Sequence, residues 1–273
     1  MNAPKPFTTW NGEKQYDVWP HLHLLPDALK NGKLKTMVFP FLGDGTAFVR
    51  LASRFPVKET ILIDSNPDLI HAYRYIKEHP ADIIRELEKL LRHYWTTPNG
   101  QKQLMCEEMR HLYDMRALSE LGLAVCYIFL QMPLRYGSCA EKAATTSLVD
   151  ENREGTPIFD ADNLRTLSAL LRNTTLICGK PDLCTEYAGK QAFIYINPPH
   201  SSTNPRYLRV FMGLSELRQM NQRVAELFTS ITERGSPCMA NLFLCPEDAK
   251  RLYNGHIHPL PDGSTIVTNY KAT

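Results

Sequence analysis

Residues 35–64 constrain the fold of this chain more than any other segment, because they alternate a buried strand, a glycine-bearing loop, a helix and a second buried strand. The apolar run at 35–40 leads into a loop at 41–46 that holds two glycines, and a helical pattern follows over 47–54. A second apolar run, at 60–64, ends in a carboxylate. Strands that alternate with helices are typical of a parallel sheet covered by helices. We therefore predict an α/β fold.

The remainder of the chain adds strands and helices of the same kind. Asn66 followed by Pro67 predicts the start of a helix, because the asparagine side chain can accept hydrogen bonds from the amides that follow. Apolar spacing predicts a mostly helical stretch over 81–134, broken near 96–100, and the polar stretch over 135–157 predicts an exposed loop or small hairpin. Further helices are predicted over 21–29, 163–172 and 215–233, and further strands over 174–179, 192–196, 238–243 and 265–270. The sum is a mostly parallel sheet with helices on both sides and a mainly helical insert.

Composition excludes several classes of protein. The 273 residues are 43% hydrophobic, which is enough for one large α/β domain with an insertion. The net charge of only +2 does not indicate a strongly basic, nucleic-acid-binding domain, although a local basic face is compatible with it. No apolar run approaches the roughly 18 residues that span a bilayer. The chain is therefore expected to be a soluble protein of enzyme size.

The cysteines point to a reducing compartment. The seven cysteines include no C-x-x-C pair, and the chain opens without a charged-then-apolar leader. Reduced thiols and a cytoplasmic location are expected from this pattern. Cys178 and Cys184 are expected to be small core residues rather than nucleophiles or metal ligands, and no metal site is predicted.

The loop after the first strand has features of a nucleoside-binding loop. Gly43 and Gly45 would let the backbone approach a ligand closely, and Asp64 at the end of the neighbouring strand could accept hydrogen bonds from ribose hydroxyls. The loop lacks the three-glycine dinucleotide fingerprint, and no Gly-Lys-Ser/Thr follows it. S-adenosylmethionine, which carries no phosphate, therefore fits better than NAD or a nucleoside triphosphate. Two glycines also occur in ordinary tight turns, and that alternative stays open.

A second candidate site follows the strand at 192–196. Asn197, Pro198, Pro199 and His200 form a stiff turn, because both prolines fix φ and neither offers a backbone N–H. The oxygens of Asn197 and the adjacent carbonyl can then accept hydrogen bonds from an amino group. An ordinary proline turn after a strand is the alternative.

Five segments, in this order along the chain, resemble the Dam-type family of adenine-specific DNA methyltransferases. They are Trp-Asn-Gly-Glu-Lys at 10–14, Phe-Pro-Phe-Leu-Gly-Asp-Gly at 39–45, Ile-Asp-Ser-Asn-Pro-Asp-Leu-Ile at 63–70, Ile-Asn-Pro-Pro-His at 196–200 and Ile-Val-Thr-Asn-Tyr at 266–270. The resemblance implies a Rossmann-like, S-adenosylmethionine-dependent methyltransferase fold. It implies a catalytic domain over 1–80 and 160–273 and a helical target-recognition insert over 81–159.

The resemblance also implies a reaction and its residues. The reaction is methyl transfer from S-adenosylmethionine to the N6 amine of adenine in double-stranded DNA, in a prokaryotic or phage-infected cell. The implied catalytic residues are Asn197, Pro198, Pro199 and His200. The implied cofactor-binding residues are Trp10, Lys14, Phe41, Gly43, Gly45, Asp64 and Asn66.

Contacts to DNA are expected from cationic and aromatic side chains in and after the insert. Arg135 and Tyr136 lie in the insert, and Arg206 and Arg209 follow the Asn-Pro-Pro-His turn. Because His200 stands where the family has a larger aromatic ring, a second hypothesis is a catalytically impaired relative that binds DNA, cofactor or a protein partner. A third is an enzyme that acts on RNA or on a protein amide.

Overall fold

The computed structural model describes residues 4–7, 19–131, 160–199 and 214–272. The chain divides into two compact units. One, here called the helical unit, comprises Met1–Asn11 and Asn66–Arg172; the other, the sheet unit, comprises Gly12–Ser65 and Asn173–Thr273. The predicted insert, 81–159, lies inside the span of the helical unit, and its role in target recognition stays a prediction.

The sheet unit is built on a seven-stranded sheet. Its strands are β1 Thr36–Phe39, β2 Glu59–Asp64, β3 Thr174–Cys178, β4 Ala192–Ile196, β5 Cys238–Leu242, β6 His256–Pro259 and β7 Thr265–Thr268. They follow the order β3-β2-β1-β4-β5-β7-β6. The pairs from β3 to β5 are all parallel, whereas β7 runs antiparallel to both β5 and β6. The predicted Rossmann-like α/β fold with a mostly parallel sheet is confirmed.

Nine α-helices are present in the described part of the chain. They are α1 Asp27–Lys30, α2 Thr46–Arg54, α3 Pro67–Glu78, α4 Pro80–Thr96, α5 Asn99–Asp114, α6 Glu120–Gln131, α7 Ala161–Leu170, α8 Leu214–Glu233 and α9 Pro246–Leu252. Three 3₁₀ segments, Trp19–Leu24, Leu171–Asn173 and Pro181–Tyr187, complete the helical structure of these residues. No helix within the described ranges combines the length and apolarity needed to cross a membrane.

The sheet is buried on both faces, which explains why its central strands are continuous apolar runs. On one face, Ile194 and Ile196 of β4 belong to a core cluster with Phe228 of α8. On the other face, the rings of Phe39 and Tyr195 lie 6.2 Å apart between centroids. Phe48 of α2 packs edge-on against Phe39 on this second face. Alternate residues of one strand therefore serve two separate cores.

The helical unit is organised around α6. Every residue from Leu123 to Leu130 in this helix is buried, and α3, α4 and α5 all pack against it. A helix that is apolar around its whole circumference is stable only when other elements cover it on all sides. Helix α7 completes the unit by packing on α3 and α4.

An ion pair ties α3 to the end of α5. Arg116 contacts the Asp68 carboxylate through its two terminal guanidinium nitrogens, at 2.9 Å and 2.8 Å, and the hydroxyl of Tyr113 donates to the same carboxylate. Burial alone would raise the pKa of Asp68, but the hydrogen bonds from Arg116 and Tyr113 and the charge of Arg116 outweigh it and hold the pKa below its ordinary value. Asp68 therefore stabilises the helical unit in its charged form.

Most predicted elements agree with the structure, and the differences have local causes. The helix predicted over 21–29 is wrong: a 3₁₀ segment ends at Leu24 and α1 begins only at Asp27, because Pro26 lacks the N–H that a continuous helix needs. Helix α9 and strand β6 were not predicted, because both are short and β6 ends in Pro259 at the edge of the sheet. The loop or hairpin predicted over 135–157 lies outside the described residues.

Candidate active site

The parallel register brings three predicted site residues to one level at the carboxyl edge of the sheet. Phe39 of β1 is paired with Leu62 of β2, and Val38 with Ile194 of β4. Continuing both registers past the ends of the strands places Asp64 and Asn197 opposite Phe41. From β1 the chain adds β2 and β3 on one side of the sheet, and then returns to add β4 and β5 on the other side. The direction in which strands are added therefore reverses between β1 and β4. In α/β sheets this reversal is where ligands bind.

The loop after β1 is fastened to the end of β2. The backbone N–H of Gly43 donates to Oδ2 of Asp64 at 3.1 Å, and the N–H of Leu42 donates to the carbonyl of Ile63 at 3.0 Å. Gly43 and Gly45 have φ values of 55° and 85°, in the left-handed region that a side chain disfavours. The glycines are thus required by the backbone path of the loop. Phe41, which is half-buried, packs against the core beneath it.

Asp64 is held by the loops that follow β1 and β3, the two strands beside β2. Its carbonyl accepts a hydrogen bond from Gly179 at 2.9 Å, while its half-buried carboxylate accepts from Gly43. A carboxylate has about four acceptor positions, and the Gly43 bond occupies one of them. The position and the chemistry of this group match those of a carboxylate that accepts hydrogen bonds from ribose hydroxyls.

Asp44, in the glycine loop, is a buried carboxylate to which the sequence reasoning assigned no role. Its side chain is buried, with 5% of its surface exposed, and it lies two residues before α2, next to the N-cap residue Gly45. Its two oxygens accept hydrogen bonds from the N–H of Thr46 at 2.7 Å and from the hydroxyl of Thr46 at 2.8 Å. A carboxylate therefore occupies the N-terminus of α2, which in dinucleotide-binding folds receives the phosphate. The Asp-x-Thr spacing before the helix was the available signal.

The Asn-Pro-Pro turn starts directly at the end of β4. Ile196 is fully buried, Asn197 is half-buried, Pro198 is buried and Pro199 is exposed. Ile194 and Ile196 belong to the core cluster shared with α8, so the alternation of the strand places Tyr195 and Asn197 on the opposite face. The turn is therefore anchored by its buried strand and carries Asn197 at the carboxyl edge.

Asn66 is the N-cap residue of helix α3. Its Oδ1 accepts hydrogen bonds from the N–H groups of Asp68 at 3.0 Å and Leu69 at 3.2 Å, which caps α3 as predicted. Its contact with a cofactor stays a prediction.

Several predicted site residues lie outside the described residues. These are Trp10, Lys14, Arg135, Tyr136, His200, Arg206 and Arg209. Among the residues that the structure does describe, no group of three histidine, cysteine or acidic side chains could hold a metal ion.

The two cysteines considered as nucleophiles differ in environment. Burial raises the pKa of the Cys184 thiol to about 12, so this group is protonated at neutral pH. Cys178 is a free, exposed thiol in the last position of β3, where it is paired with Asp64. Cys184 thus has the core role that was expected of both cysteines, whereas the same expectation is wrong for Cys178, which ends its strand in an exposed position.

Comparison with known proteins agrees with the geometry of the sheet unit. The chain matches the model of the D12 class N6 adenine-specific DNA methyltransferases over residues 19–255. It is 26% identical to the type II methyltransferase M.MjaIII of Methanocaldococcus jannaschii over 92% of this chain and 88% of that protein. It is 25% identical to the type II methyltransferase M1.LlaDCHI of Lactococcus lactis subsp. cremoris over 97% of this chain and 95% of the relative.

A third relative is the DNA adenine methylase of Vibrio cholerae. It is 22% identical to this chain over 74% of the chain and 67% of that protein. The family model spans the glycine loop, Asp64 and the Asn-Pro-Pro turn, which the sheet brings to one edge. This chain belongs to the family of D12 class N6 adenine-specific DNA methyltransferases.

Proposed function

We propose that this methyltransferase takes its methyl group from S-adenosylmethionine and transfers it to the N6 amine of adenine in double-stranded DNA. In this proposal Asn197 and Pro198 hold the amine in place. The observation that carries the proposal is the shared level of Asp64, the glycine loop and Asn197 at the carboxyl edge of β2, β1 and β4. A carboxylate suited to ribose and an amide suited to an amino group thus stand at the ends of β2 and β4, the two strands that flank β1.

The residues present fit a nucleoside cofactor without phosphate. Asp44 places a carboxylate at the N-terminus of α2 and uses the amide of Thr46 there. A phosphate at this position would meet a like charge and would lose a helix-terminal donor. S-adenosylmethionine brings an adenosine and a sulfonium cation instead. In this proposal Asp64 accepts from the ribose hydroxyls, and the loop at Gly43 and Gly45 lies against the nucleoside.

The cofactor supplies the methyl group, and the contribution of the protein is to position the acceptor amine. The side-chain oxygen of Asn197 and the carbonyl of Pro198 would accept the two amino hydrogens of adenine. This arrangement directs the nitrogen lone pair away from the ring plane and toward the donor. The amine would need no prior deprotonation. As its nitrogen bonds to the methyl carbon and the S–CH₃ bond breaks, S-adenosylhomocysteine would be left behind and one amine proton would become acidic and pass to water. Positioning of this kind supplies most of the rate in a reaction between two bound partners.

The adenine must leave the DNA helix to reach Asn197. An amino group inside a base pair is hydrogen-bonded to its partner base, and the edge of the sheet cannot enter the stack. The proposal therefore includes extrusion of the target base. Duplex DNA is proposed as the acceptor from the resemblance to the Dam-type family, and extrusion is the step by which an enzyme reaches a paired base.

The test measures methyl transfer directly. Purified protein is incubated with tritiated S-adenosylmethionine and unmethylated genomic DNA, and the nucleosides are separated and counted. We expect label in N6-methyladenine, with more label on duplex than on heat-denatured DNA, and a rate for Asn197→Ala that is lower by roughly 100-fold or more.

The matched control is Asn173→Ala. Asn173 is exposed and immediately precedes β3, at the opposite edge of the same sheet. This variant removes the same amide and should leave the rate unchanged. Parallel reactions offer RNA or a protein mixture in place of DNA. Label in one of these but not in DNA would reject DNA as the acceptor, and full activity of Asn197→Ala would reject the role of Asn197.

A further inference from the structure

We propose that Phe243 forms one wall of the adenine pocket and stacks on the extruded base. The inference rests on the proposed function, since it concerns the same acceptor site. Phe243 directly follows β5, the strand next to β4 on the side away from β1. None of the segments that resemble the family includes it.

The register of β4 and β5 places Phe243 beside the Asn-Pro-Pro turn. Ile196 is paired with Ala240. One step further along this parallel register Asn241 comes opposite Asn197, and Phe243 follows two residues later, directly after the end of β5. Phe243 therefore lies at the carboxyl edge, two positions further out than the level of Asn197.

The alternation of β5 assigns Phe243 to the face of Asn197. Ala240 and Leu242 belong to the core cluster that includes α8, and Leu244 packs against the same cluster. The residues between them, Asn241 and Phe243, thus face the other side of the sheet. Tyr195 and Asn197 face this side too, because Ile194 and Ile196 belong to the cluster.

The exposure of Phe243 separates it from the core. Among the described residues, five large apolar side chains are exposed, and four of them, Trp95, Leu104, Leu112 and Met115, belong to the helical unit. Phe243, with 36% of its surface exposed, is the fifth and belongs to the sheet unit. An exposed aromatic ring at a ligand-binding edge is suited to stacking on a base, because every base has a π-face.

Stacking by Phe243 would also compensate for the small ring at position 200. A histidine offers less stacking area than the larger ring that the family resemblance leads one to expect there. A second aromatic surface near Asn197 would restore affinity for the extruded base. Phe243 would then act in binding the acceptor and would not contribute to cofactor affinity.

The test compares four variants for methyl transfer at limiting DNA and for cofactor affinity by calorimetry. Phe243→Ala should lower kcat/KM for DNA by about 5- to 150-fold, the range that corresponds to the loss of one base–aromatic stack. Phe243→Tyr keeps the ring and should stay near wild type. Phe243→Leu keeps apolar volume without a π-face and should fall between the two. The Kd for S-adenosylmethionine should be unchanged in all three.

The fourth variant, Phe55→Ala, is the matched control. Phe55 is a partly buried phenylalanine at the C-terminal end of α2, just before β2 begins, and therefore at the opposite edge of the sheet. It should retain wild-type kcat/KM. Circular dichroism of each variant checks that the fold is intact.

Base extrusion gives a second readout. The methylated sites in wild-type product are mapped by sequencing, and 2-aminopurine is then placed at the target position of a duplex. The complex with Phe243→Ala should fluoresce more brightly than the complex with wild type, because in the wild-type complex the ring of Phe243 would stack on the extruded 2-aminopurine and quench it.

The outcomes separate this inference from the proposed function. If wild type does not methylate adenine, the proposed function fails and this inference fails with it. If wild type is active and Asn197→Ala is not, but Phe243→Ala and Phe243→Leu both match Phe55→Ala, then the proposed function stands and the role of Phe243 is rejected.

Discussion

Replacement of Asp64 by alanine tests the cofactor side of the site. In the folded protein the carboxylate accepts a hydrogen bond from the N–H of Gly43 at 3.1 Å. In the proposed complex it also accepts from the ribose hydroxyls of S-adenosylmethionine. The substitution should therefore weaken cofactor binding strongly and reduce the stability of the fold only slightly.

The magnitudes follow from the hydrogen bonds involved. A hydrogen bond to a charged acceptor contributes about 1.5–3 kcal/mol, and loss of two such bonds at the low end of that range gives about 3 kcal/mol, or roughly 150-fold in Kd. Loss of the Gly43 bond should cost about 1 kcal/mol of unfolding free energy, because Gly43 is half-buried and water can replace the acceptor. Asp64→Asn keeps one acceptor oxygen and should lose about half as much binding free energy.

Calorimetric titration with S-adenosylmethionine measures the first effect and urea unfolding the second. The control is Glu59→Ala, which removes an exposed carboxylate at the opposite end of the same strand. Glu59 accepts a hydrogen bond from Thr175 at 3.2 Å, so this variant also loses one contact. A Kd for Asp64→Ala within about twofold of that of Glu59→Ala would refute the assignment of Asp64 to the ribose, since even one neutral hydrogen bond is worth about that much.

Three further predictions concern stability and reactivity. Asp68→Asn should lower the unfolding free energy by about 1–2 kcal/mol at pH 7 through its weaker bond to Arg116. Because the pKa of Asp68 is lowered on folding, this stabilisation is present above the ordinary value of 3.8 and is lost as the pH falls through the lower folded pKa. Urea unfolding at pH 7 and pH 3 checks this, and a difference of equal size at both pH values would contradict it. Asn66→Ala should cost about 1 kcal/mol through loss of the α3 cap, whereas Asn66→Asp should retain it; equal unfolding free energies for all three proteins would remove the cap role. Iodoacetamide at pH 8 should modify Cys178 in the native protein and Cys184 only after unfolding, because Cys184 is buried and burial raises the pKa of its thiol to about 12. Peptide mass mapping identifies the modified cysteines. Modification of both in the native protein would contradict the burial of Cys184.

The sequence was sufficient where a structural feature depends on neighbouring residues. The bounds of β4 at Ala192–Ile196 follow from one apolar run that ends at an amide and two prolines. The cap of α3 by Asn66 follows from an asparagine placed before a proline. The positive φ values of Gly43 and Gly45 agree with the loop predicted after the first strand. Each of these features depends on the local backbone preferences of a few consecutive residues.

Features that depend on distant parts of the chain could not be predicted from the sequence and are visible only in the tertiary structure. The sequence order of the strands does not state that β4 pairs with β1 or that β7 lies between β5 and β6. Those pairings decide that Asp64 and Asn197 stand at one level. They also decide that Phe243, which the sequence presents only as the last residue of the strand predicted over 238–243, reaches the edge beside the Asn-Pro-Pro turn.

What the sequence determined by itself was the set of chemical groups: a glycine loop, a carboxylate at a strand end, and an amide before two prolines. What only the tertiary structure decided was their arrangement, including the buried Asp44 at the start of α2. The physical reason is that backbone conformation is set largely by local sterics and hydrogen bonds, whereas strand order and register are set by burial of side chains on both faces of a sheet. That burial depends on the chain as a whole.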